Sequence, residues 1–79
     1  MPHVIIKLHP GRSDEQITGL AEKIAGDVAE IAKCDKKVVS VSVEEVTPEE
    51  WSEKVYGPDI MNKQDSLIIR PGYGPLGQD

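Results

Sequence analysis

Two short runs of β-branched residues, with one helix-length stretch between them, leave this chain few ways to fold. "HVIIKL" (residues 3–8) and "VVSVSVEEV" (38–46) both read as strands. Val39, Val41 and Val43 alternate cleanly in the second run. In the first, Val4, Ile6 and Leu8 share one face, while His3, Ile5 and Lys7 share the other, so Ile5 also needs cover. Between the runs, Ile17, Leu20, Ala21, Ile24, Val28 and Ile31 recur at gaps of three and four, the period of an amphipathic helix. Strand, helix and strand in that order cross over right-handed and pair in parallel. The expected fold class is therefore α/β (α+β), a β-α-β unit with two parallel strands packed on one helix. Such a unit cannot close a core and leaves a sheet edge bare. The expectation is a sheet completed by a second subunit.

Local signals place the boundaries. "HPGR" (9–12) is a turn, with Pro10 and Gly11 as breakers. Ser13 reads as an N-cap with Gln16 three residues on, a capping box. Asp14 and Glu15 favour the positive end of the helix dipole, and the helix is expected from about Asp14 to Lys33. Gly19 and Gly26 weaken its intrinsic propensity, so tertiary packing must hold it. "TPEEWSEKVYG" (47–57) reads as a short helix with Thr47 as N-cap, Pro48 as first helical residue and Glu50 as the capping-box acid. In "PDIMNKQDSLIIR" (58–70), Leu67, Ile68 and Ile69 fit either a short strand or a helix end. "PGYGPLGQD" is too rich in Gly and Pro for regular structure, so residues 70–79 form an irregular tail to a single domain, 1–79.

Seventy-nine residues are marginal as a lone domain. With Cys34 the only cysteine, no internal disulfide supports the fold, and one cysteine with His3 and His9 makes no recognisable metal spacing. Self-association is the remaining route to stability. The net charge of −5, from 14 acidic and 9 basic residues, disfavours nucleic acid. No apolar run approaches a membrane span, and the start does not read as a signal peptide. A lone free cysteine fits the reducing cytoplasm.

Two residues stand out chemically. Pro2 follows the initiator methionine, whose removal a small second residue permits. A free Pro2 is a rigid secondary amine, and an α-amino group ordinarily titrates at about 7.7–8.0. Apolar surroundings or a nearby cation lower that value toward a base poised near neutrality. Arg12 carries a planar fork matched to a carboxylate. Each also has a plain reading, as a common second residue and a solvated surface cation. His3 and His9 can titrate, but without a carboxylate partner in sequence both read as bystanders. Cys34 reads as structural or exposed, Tyr73 as docking the tail, and Glu22, Asp27 and Glu30 as a solvated helix face.

Pro2, the short strand, "GRSDEQ" (11–16) and the β-α-β order together resemble the 4-oxalocrotonate tautomerase family. "TPEEW" and "RPGYG" resemble its PptA-like subgroup. The resemblance implies that Pro2 matches the catalytic amino-terminal proline and Arg12 the arginine that holds a substrate carboxylate. Trp51 matches an aromatic wall beside the amine. Ser40 stands where the family's enzyme for dienol diacids has a second arginine, which points to a monoacid such as phenylpyruvate rather than a dicarboxylate. Arg70 in the tail is a candidate replacement. The implied activity is keto–enol tautomerisation, with no cofactor or metal. The implied assembly is a homodimer, with a homohexamer as the alternative. Two other readings stay open: a non-catalytic dimeric module that binds a carboxylate or a protein, and hydration or dehalogenation of a small unsaturated acid with prolinium as the acid.

Overall fold

A computed structural model of the chain describes residues 1–77. They sort into two compact units, Met1–Thr47 and Pro48 onward. In the first, strands β1 (His3–Leu8) and β2 (Ser40–Glu45) pair in parallel, in register from His3 opposite Ser40 to Leu8 opposite Glu45. The ladder runs past both ends: the Ser40 N–H donates to the Pro2 carbonyl at 3.1 Å, and the Val46 N–H to the Leu8 carbonyl at 2.8 Å. Helix α1 (Asp14–Ala32) connects the strands.

The start of α1 is built by the residues that announce it. Gly11 turns the chain at φ +125°, a region that favours glycine. Ser13 Oγ then accepts from the Gln16 N–H at 3.1 Å, and Gln16 Oε1 accepts from the Ser13 N–H at 2.9 Å. The helix ends without glycine. Lys33 takes the left-handed conformation (φ 61°, ψ 51°), and its N–H and that of Cys34 both turn back to the Ala29 carbonyl. β2 begins two residues later than the valine run suggests, because Asp35 accepts from the Lys37 N–H at 3.0 Å and draws Lys36–Val38 into a 3-10 turn.

The packing is thin. Val4, Ile6 and Leu8 of β1 and Ile17, Ala21, Ile24 and Val28 of α1 are half-buried, and no described residue of this unit is fully buried. Two expected core positions open to solvent instead: Leu20 is 37% and Ile31 79% exposed. Ile5 is 56% exposed. One helix covers one face of the sheet and leaves Ile5 on the other face open, while two strands are too narrow to cover Leu20 and Ile31 at one edge of the helix's own apolar stripe.

In the second unit, helix α2 (Pro48–Trp51) does not stop near Gly57 as the sequence suggests. It continues as a wide π-helix, Ser52–Ile60, with Pro58 inside it, then tightens to a 3-10 helix, Met61–Ser66. Proline lacks an N–H and its ring clashes with the carbonyl four residues back, so an α-ladder cannot pass it, whereas a wider turn can. Val55 and Tyr56 on this segment are the fully buried apolar residues among those described. Leu67–Ile69 is neither strand nor helix, and Ile68 and Ile69 are exposed. The tail is irregular apart from one 3-10 turn, Pro75–Gly77; its last two residues lie outside the described residues. No described helix is long and apolar enough to cross a membrane.

A lysine held left-handed strains the end of α1, since that conformation costs an L-residue about 1–2 kcal/mol. Lys33→Gly is expected to stabilise the protein by about 1 kcal/mol, read as a higher urea midpoint at unchanged slope.

Candidate active site

The ladder fixes Pro2. Its carbonyl is held by the Ser40 N–H, so its nitrogen lies just past the first rung of the sheet, and the residue is half-buried. The same register sets His3 opposite Ser40, where His3 Nδ1 and Ser40 Oγ form a 2.6 Å hydrogen bond. Pro2, His3 and Ser40 thus form one cluster at the amino end of the sheet. His3, read from sequence as a bystander, has a partner 37 residues away. Sliding the two strand patterns into parallel register would have revealed it.

Arg12 does not join this cluster within its own chain. Its Nη1 donates to the His9 carbonyl at 2.9 Å, which folds the guanidinium against the turn after β1. Pro2 precedes that strand and His9 follows it. At about 3.3 Å per residue, the strand separates the Pro2 nitrogen from the Arg12 guanidinium by about 20 Å. That span exceeds a small oxo acid, and at physiological salt it also exceeds the screening length of about 8 Å. The neighbouring cation expected beside Pro2 is therefore not this chain's own Arg12.

Trp51 belongs to an aromatic cluster in the second unit. Its Nε1–H donates to the Tyr73 hydroxyl at 2.8 Å. Tyr56, buried below, donates its hydroxyl to the Tyr73 carbonyl at 2.8 Å and accepts from the Leu76 N–H at 3.0 Å. The Tyr56 and Tyr73 rings meet edge to face, with centroids 5.2 Å apart. The tail expected to dock through Tyr73 is docked through both tyrosines. Tyr56 was missed, because only its distance in space from Tyr73, not its place in sequence, makes it a clamp. Arg70 is exposed ahead of this strap, beside Pro71.

The electrostatics are mild. Lys54 titrates above the ordinary lysine range, because it hydrogen-bonds Glu50 (2.9 Å) and is attracted by its charge; the pair is solvent-facing. Concavities of about 260 Å³, between α1 and β2 beside the Lys36–Glu22 bridge, and about 410 Å³, on Met61–Ser66, contain none of Pro2, His3, Arg12, Ser40, Trp51 and Arg70. Among the described residues, no group of three or more His, Cys, Asp or Glu is placed to hold a metal ion.

Comparison with known proteins supplies the context for this cluster. Residues 2–55 match the family model described as tautomerase enzyme. The chain is 42% identical over 76 residues to a probable tautomerase of Xylella fastidiosa (strain 9a5c), covering 96% of this chain and 93% of that one. It is 40% identical to tautomerase PptA of Enterobacter sp. (strain 638), over 92% of this chain and 97% of that one. Among solved structures it is similar to TomN, a 4-oxalocrotonate tautomerase homologue in the tomaymycin biosynthetic pathway. That match has a TM-score of 0.61 at 32% identity, over 63% of this chain and 77% of that one.

The aromatic strap depends on Gly74. It sits at φ +67°, and a Cβ there would lie 2.7 Å from the Tyr56 ring. Gly74→Ala is expected to cost about 1–3 kcal/mol through backbone strain and displaced packing. Denaturation followed by the emission of Trp51, the chain's single tryptophan, reads both the loss and the freed strap.

Proposed function

Since this chain belongs to the tautomerase family, and is by that membership an isomerase, we propose that it interconverts keto and enol forms of a small 2-oxo monoacid of the phenylpyruvate type, with Pro2 as base and then acid. The observation that carries this reading is that the family match opens at residue 2, the residue whose carbonyl is tied to the head of β2 and whose nitrogen is left outside the ladder. With Met1 removed, that nitrogen is a secondary amine on a rigid ring. The neutral amine takes the enol hydroxyl proton, and the prolinium returns a proton to the carbon at the far end of the three-atom system. Arg12 holds the substrate carboxylate, Trp51 gives an apolar wall, and Ser40 in place of an arginine favours one carboxylate over two. Arg70, the other arginine of the sequence, is the candidate for a supplementary cation.

The separation of about 20 Å between Pro2 and Arg12 in one chain supports a site shared between copies, with Arg12 supplied by another protomer. A homodimer is the simplest assembly that does this, and the exposed Ile5 and Ile31 are faces a second copy would cover. In the cytoplasm, where we place the enzyme, Cys34 stays a thiol.

Activity toward the enol of phenylpyruvate is expected to rank native protein first, then Pro2→Ala, which keeps a primary amine, then protein with residue 1 retained. The blocked form loses on the order of 10²–10⁴-fold, the scale of general acid–base catalysis; equal rates for native and blocked protein, verified by intact mass, would favour a binding module instead. Arg12→Ala is expected to lose about 2–3 kcal/mol of transition-state stabilisation with unchanged melting. Hybrids refolded from Pro2→Ala and Arg12→Ala chains should regain activity, because one of their sites draws both native residues. Hybrids no more active than their parents would show the site is not shared.

A further inference from the structure

The reaction builds negative charge on the substrate's 2-oxo oxygen as the enolate forms. A base at Pro2 and a carboxylate clamp at Arg12 leave that oxygen without a donor. Donors aimed at developing charge supply much of enzymatic rate enhancement, and the amino end of the sheet offers one. His3 adjoins Pro2 covalently, and its ring is fixed through Nδ1 by the 2.6 Å hydrogen bond to Ser40 Oγ. Ser40 is itself fixed, because its N–H bonds the Pro2 carbonyl at 3.1 Å and its Cα pairs with that of His3. The next rung on this face of the sheet is Ile5 with Ser42, neither of them charged, and Lys7 with Glu44 lies one rung beyond. With Nδ1 occupied, the imidazole has one nitrogen left to offer, Nε2. A serine hydroxyl that donates to Nδ1 leaves the proton of the neutral ring on Nε2, making it a donor.

Resting on the reading of Pro2 as the base, we propose that His3 is a further substrate-contacting residue, whose Nε2–H donates a hydrogen bond to the 2-oxo oxygen, and that Ser40 is the positioning residue that fixes the ring and its tautomer. No proton is transferred by His3. The enol proton still passes to the Pro2 nitrogen and returns to carbon, and the imidazole only stabilises the oxygen between the two steps. On this account the serine at the position of the family's second arginine acts through the histidine rather than on a second carboxylate.

The test uses the mature, assembled protein and phenylpyruvate as probe, comparing single and double variants at His3 and Ser40. His3→Ala should lower kcat on the order of 10²-fold, the scale of a lost oxyanion donor, with KM changed less than kcat. His3→Gln, whose amide nitrogen falls near the position of Nε2, should restore much of the loss; His3→Asn, whose amide falls near Nδ1, should not. Ser40→Ala should show a smaller kcat loss that disappears in the His3→Ala background. Rates within twofold of native for His3→Ala would overturn the proposal. Equal rescue by Gln and Asn, or a loss confined to KM, would overturn the assignment to the oxo oxygen. Should His3→Ala fail to fold, the Gln and Asn pair carries the comparison. Protein with residue 1 retained, measured alongside, separates the two readings: a slow blocked form with a native-rate His3→Ala overturns only the histidine, while the reverse overturns only the amino-terminal base.

Discussion

Everything in the first unit follows from two strands being parallel. Parallel neighbours cannot be joined by a tight turn, so the chain must leave the end of β1, cross the sheet as a helix and re-enter at the start of β2. That crossover consumes most of residues 9–39 and fixes which residues meet. The head of β1 lies beside the head of β2, which gathers Pro2, His3 and Ser40. The turn after β1, carrying Arg12, is sent to the opposite end. Chemistry that looks contiguous along the sequence is thereby parted in the fold.

The same economy explains why the unit stays open. One helix can shield one face of two strands, and even there the shielding is partial, since no described residue of the unit is fully buried. Covering an apolar side chain such as Ile5 or Ile31 releases about 1.5–3 kcal/mol, so each exposed isoleucine is latent association energy. The second unit takes another route. Tyr56 organises the strap from beneath, because a buried phenol gathers one backbone carbonyl and one backbone N–H of a glycine-rich segment that has no ladder of its own.

What the sequence disclosed was local. β1 was legible to the residue, because its β-branched run is bounded by a proline on each side, and the start of α1 because Ser13 and Gln16 satisfy each other within three residues. Pairing direction followed from connection length. The rest needed distances the sequence does not carry. Ten positions between Pro2 and Arg12 suggest proximity, but an extended strand turns them into about 20 Å. His3 seemed solitary because its partner lies across the sheet. The helix read over 47–57 runs on through Pro58, since a π-type ladder tolerates what an α-ladder does not.

The bond between the Ser40 N–H and the Pro2 carbonyl decides what removal of Met1 would do to the fold. With Met1 attached, the Pro2 nitrogen is a tertiary amide without a hydrogen, so the one rung joining residue 2 to β2 runs through its carbonyl and does not involve the nitrogen. Met1 itself is fully exposed. Clipping it therefore breaks no rung and uncovers no packed surface. Loss of Met1 would therefore be conformationally silent, turning an inert amide into an amine without disturbing the strand pairing, so that on the proposed mechanism a dormant and a competent state would share one scaffold and differ by one residue.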